Sequence, residues 1–112
     1  MPAPARPSLR FFHSATLRAR SNKVLAAVER DKDPTQHVGG LSSLVADLTE
    51  AGLNYYFLKP LQQAKVGFVA RQTASLGMAG ALRVMSPIIR TILAGTNATQ
   101  LRVITRHIRQ LM

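Results

Sequence analysis

The chain contains no cysteine, which excludes disulfide bonds, thiolate zinc sites and cysteine nucleophiles. Only oxygen and imidazole groups remain as metal ligands. A second absence is larger. After Glu50 there is no Asp or Glu, although residues 51–112 carry eight Lys or Arg. Residues 1–50 hold seven basic and five acidic side chains, a balance of +2, so the acid-free part supplies +8 of the net +10. An excess of one sign on this scale points to a negatively charged partner.

Long uncharged runs are missing as well. Gln72 to Leu82 and Thr91 to Leu101 are eleven residues each, and Pro34 to Ala46, with His37 neutral, is thirteen, against roughly 18 to 20 for a membrane-spanning helix. No spanning segment is expected from them. What is present suits a small helical domain: 112 residues, of which 46% are apolar, suffice for one modest core.

Met1 to Val28 holds five basic residues (Arg6, Arg10, Arg18, Arg20, Lys23), three serines and no acid. That composition matches an organellar transit peptide, and Arg10-Phe11-Phe12-His13-Ser14 resembles the surroundings of a mitochondrial presequence cleavage site. The alternative is a Pro-rich, disordered lead over residues 1–7 (Pro2, Pro4, Pro7), followed by the first helix of a domain covering 8–112. We adopt the second reading, with a cytoplasmic protein peripheral to a membrane as the expectation and a mitochondrial protein with a cleaved presequence as the alternative.

Hydrophobic spacing predicts helices throughout. Leu17, Val24, Leu25 and Val28 share a face of a helix spanning Ser8 to about Lys32. Asp33-Pro34 and Gly39-Gly40 read as the linker at 33–40. Leu41, Leu44, Leu48, Ala51, Tyr55 and Leu58 step by three and four, giving a second helix from a Ser42 cap, with Asp47 and Glu50 toward solvent. Pro60 should break or kink it. Gly77 and Gly80 mark a turn or a tight helix crossing, which also permits self-association. Ala81 to Ala94 is apolar nearly all round, which predicts a buried helix. Gly95 is placed to cap its C-terminus, and Asn97 with Gln100 forms a capping box for the last helix, Ala98 to Leu111. No stretch alternates long enough for a sheet, so the fold class is all-α, a bundle of four or five helices.

In that last helix Leu101, Ile104, Ile108, Leu111 and Met112 form one stripe, and Arg102, Arg106 and Arg109 gather on an adjacent face. Arginines near a helix C-terminus complement its dipole. Three on one face, more than fifty residues from any acid in sequence, also make a cationic patch. Arg83 and Arg90, seven residues apart, are a second candidate pair.

Signals for catalysis are absent. His13, His37 and His107 lack the HExxH spacing that would put two imidazoles on one helical face, and no phosphate loop, GxGxxG or GxSxG occurs. Glu29, Asp31, Asp33, Asp47 and Glu50 sit at helix ends, in the linker or on solvated faces. Gln72-Thr73-Ala74-Ser75-Leu76-Gly77-Met78 resembles the turn of a helix-turn-helix. It departs from that pattern at Thr73, where a small Ala usually stands four before the turn glycine, and at Arg83, where a buried aliphatic is expected six after it. A packed Gly/Ala helix contact is therefore the expectation for this segment.

The combined reading is a basic helical interaction or accessory protein that binds an acidic protein surface or an anionic membrane face, with no catalytic role, cofactor or metal. The partner-binding residues are Arg102, Arg106 and Arg109, with Arg83 and Arg90 as the second pair and Tyr55-Tyr56-Phe57 as interface anchors. A protein that binds nucleic acid without sequence preference is the alternative, since excess charge alone gives phosphate affinity.

Overall fold

The computed structural model describes residues 13–112; the lead at 1–7, residues 10–12 of the presequence-like motif and the first residues expected in helix 8–32 lie outside them. Every regular element among the described residues is helical, in agreement with the all-α reading. Helix α1 spans Ala15–Arg30 and begins where Ser14, in an extended conformation, accepts the Leu17 N–H on its hydroxyl at 3.0 Å. A 3₁₀ turn, Pro34–His37, leads directly into α2, Val38–Leu53. Residues 33–40 are thus mostly helical. Pro34 fits the first 3₁₀ position because that N–H has no helical partner to lose, and Gly39 and Gly40 fall in the first turn of α2. Ser42 is a buried residue inside that helix and not its cap.

Pro60 does not break the chain's second helical run. The backbone passes from α2 through a π-helical turn, Asn54–Leu58, into a short α3, Lys59–Gln63. At the junction Lys59 donates its N–H to the Asn54 carbonyl, five residues back. Widening the turn just before a residue that lacks an N–H accommodates Pro60 within the helical run. The helix instead ends at Lys65, which adopts φ 55°, with Val66 N–H bonded to the Leu61 carbonyl at 3.1 Å. This is a Schellman-type stop. Helix α4 then runs unbroken over Phe68–Ala94, and Gly95 caps it. Helix α5, Ala98–Leu111, opens on the expected capping box: Gln100 N–H donates to Asn97 Oδ1 at 2.8 Å, and Asn97 N–H to Gln100 Oε1 at 3.0 Å.

The core gathers at one end of the molecule. Leu25 and Val28 of α1, Leu41 and Leu44 of α2, Leu93 at the end of α4 and Leu101 of α5 form one buried cluster, with Leu17, Val24, Leu48, Ile89, Ile104, Ile108 and Met112 packed around it. Leu111, expected in the α5 stripe, is 75% exposed; Thr105, buried among the same residues, takes a core position that spacing alone assigned to no one. The other half, from Asn54 through the first part of α4, is an extended arm. Its effect on dimensions is plain, since the radius of gyration is 16.4 Å where a compact chain of this length has about 13 Å.

Two expectations for α4 are overturned. Gly77 and Gly80 lie inside a continuous helix, and a Cβ added at either would meet nothing within 4 Å, so they form neither a turn nor a tight crossing. The helix-turn-helix resemblance ends with them. Ala81 to Ala94 is not buried either: within α4 only Met78 and Leu93 are, because among the described residues the helix packs on its inner side alone, chiefly against α2.

Candidate functional site

Two surfaces bring the candidate residues together. The first lies between α1 and α5. Arg102, Arg106 and Arg109 project from successive turns of α5 onto an open concavity of about 290 Å³, and Glu29 of α1 completes its lining. Arg109 is not a free charge there. Its Nε and Nη2 donate to Glu29 Oε1 at 3.0 and 2.7 Å, and its Nη1 donates to Asn22 Oδ1 at 2.8 Å. The sequence distance to an acid misled, because α5 docks on α1 and brings together residues eighty apart. Arg102 reaches only a backbone carbonyl, that of Asp31, at 3.4 Å. Neither Arg102 nor Arg106 forms an ion pair among the described residues.

The second surface is the outer side of α4. At 100° per residue, Val69, Leu76, Gly77, Gly80, Ala81, Val84, Ile88 and Ile92 share one half of the helix circumference, and no charged residue falls within it. This half faces away from the core: Val69 is 75% exposed, Leu76 and Val84 66%, Ile88 53% and Ile92 63%. Arg83 and Arg90 border it along one edge, while Arg71 falls on the opposite half of the helix. With 27 residues and a mean hydropathy of 1.3 over its most apolar window, α4 is long and apolar enough to cross a membrane, and only 11% of that window is buried. Charge-free runs missed this, because three arginines interrupt the sequence while leaving one side of the helix untouched.

The remaining candidates are separate from both surfaces. Tyr55 and Tyr56 stand edge to face at 5.3 Å in the π turn, and Lys59 Nζ lies 4.9 Å from the Tyr55 ring centre; Tyr56 and Phe57 are partly exposed. His37 Nε2 lies 2.8 Å from Asp31 Oδ2. The Asp31 carboxyl is held below its ordinary value by the Asp33 backbone N–H that it accepts and, next, by His37. Asp47, expected toward solvent, is ion-paired with Arg20 of α1. Among the described residues no three His, Asp or Glu side chains gather as a metal site.

The fold and these surfaces define a small basic all-α protein with an apolar helix face that no described residue covers. No family model, curated protein or solved structure matches the chain.

Proposed function

We propose that the protein is an accessory protein that binds an anionic membrane face through the outer side of α4. The observation that carries this reading is the uncharged half of α4, exposed along the whole helix and edged along one side by Arg83 and Arg90. Each large aliphatic moved fully from water into an apolar phase contributes about 1.5 to 3 kcal/mol, and each Lys or Arg at an anionic surface about 1 kcal/mol. Five such aliphatics with Arg83 and Arg90 therefore supply several kcal/mol even when inserted only in part. Arginine stems are long enough to lie along the apolar face while their guanidiniums stay with headgroup phosphates.

Lying in the interface suits α4 better than crossing the bilayer. Arg83 stands near its midpoint, where burial in hydrocarbon costs about 2.5 to 3.5 kcal/mol or more, and its inner side is already occupied by α2. A second copy of the chain is a poorer occupant of the same face. It would bring the like charges of Arg83 and Arg90 to the contact and no carboxylate from that face to meet them. Nucleic acid, the other reading, draws on excess charge alone, and an apolar face offers nothing to a phosphate backbone.

Flotation with vesicles tests the proposal. The full chain is expected to float with phosphatidylglycerol vesicles, to float less as salt rises, and to leave neutral phosphatidylcholine vesicles unbound. Ile88→Glu with Ile92→Glu, both exposed positions, should weaken binding by about tenfold or more without lowering the unfolding temperature. Equal binding by wild type and this variant, or no binding to anionic vesicles, would refute it. Steeply salt-dependent binding to random-sequence DNA in the absence of vesicle binding would favour nucleic acid instead.

A further inference from the structure

We infer that the concavity between α1 and α5 is a binding site for a compact phosphate dianion. This goes beyond the membrane reading and rests on different residues. Three guanidiniums and one carboxylate line the site, which leaves two positive charges in excess. A phosphate monoester near neutral pH carries a charge of about −1.5 to −2 and neutralises them, whereas a carboxylate leaves one uncompensated. Phosphate oxygens also match the paired N–H groups of a guanidinium.

The three arginines are not equivalent, and their differences describe a prepared site. Arg109 is held in place from α1 by Glu29 and Asn22 through three hydrogen bonds. Its orientation is fixed before any ligand arrives. Arg102 and Arg106 stand one helical turn apart with no carboxylate of their own, an arrangement in which like charges repel unless an anion lies between them. The helix dipole does not account for this set. It favours cations in the last turn, and Arg102 is the fifth residue of α5. The concavity of about 290 Å³ is larger than a phosphate group, so it leaves room for part of the body to which the phosphate is attached.

Titration of the full chain with inorganic phosphate, followed by the Arg Nε–Hε resonances at constant ionic strength, tests the assignment, with acetate as the comparison. Saturable shifts are expected for phosphate, and binding should be weaker by about tenfold in Arg106→Gln, which loses one charge-assisted contact pair. Arg106 is exposed and makes no ion pair among the described residues, so its replacement should leave thermal unfolding unchanged. Equal responses to phosphate and acetate, or wild-type phosphate binding by Arg106→Gln, would overturn the inference. Two further arms identify the source. Glycerol phosphate binding at least as tightly as inorganic phosphate indicates a free phosphorylated molecule. A preference for phosphatidic acid over phosphatidylglycerol vesicles that Arg106→Gln abolishes indicates a lipid headgroup. The Ile88→Glu and Ile92→Glu variant should keep its phosphate binding, which separates this site from the face of α4.

Discussion

Single residues in this protein show how far a charge is from being a site. Arg109 reads in sequence as one of three equal cations, yet it spends its guanidinium on Glu29 and Asn22, while Arg106 of the same face makes no ion pair among the described residues. The arginine at the centre of the patch is therefore the informative one to replace. Asp31 offers a second residue-scale test. Its carboxylate accepts the Asp33 N–H at 2.9 Å and faces His37 at 2.8 Å, which lowers its pKa from the ordinary 3.8. A carboxyl with a lowered folded-state pKa contributes stability that is complete above its unfolded value and is lost as pH falls through the folded one. Acidification below about pH 4 should thus cost wild type more than Asp31→Asn, measured as the difference in unfolding temperature between pH 5 and pH 3. Identical acid sensitivity in the two proteins would show that the contact has no energetic effect.

At the scale of elements, local signals were read well where they are completed within one or two turns. The Asn97 and Gln100 capping box, the Gly95 cap and the apolar stripes of α1 and α2 all appear as expected, because their hydrogen bonds and side-chain spacing involve neighbours in sequence. Pro60, expected to break or kink its helix, disturbs the backbone without breaking it. A π turn absorbs it. Gly77 and Gly80 were misread because glycine lowers helix propensity by only about 1 kcal/mol, which the rest of a 27-residue helix outweighs. Their position makes a clear test. With no positive φ at either and open space around both, Gly77→Ala and Gly80→Ala should each stabilise the fold by about 0.5 to 1 kcal/mol. A lower unfolding temperature in either variant would mean that another surface packs against these glycines.

On the scale of the whole molecule, the core is confined to one end, and stability should follow it. Backbone amides of α1, the first half of α2 and α5 are expected to exchange slowly with deuterium, and those from Asn54 through the first part of α4 markedly faster, since few buried contacts restrain the arm. Addition of anionic vesicles should slow exchange in α4 selectively. Uniform protection across the chain would show that the arm is not an independent unit. The sequence by itself determined the helical class, the caps, the charge asymmetry and the residues able to form each stripe, since all of these depend on composition and on spacings within a few turns. Only the tertiary structure decided which stripes find partners. Docking of α5 on α1 joined Arg109 to Glu29 across eighty residues of chain, and the absence of a neighbour among the described residues on the outer side of α4 left exposed a surface that its composition had assigned to the core. Both outcomes depend on how helices pack against one another, and no spacing within a single helix encodes that.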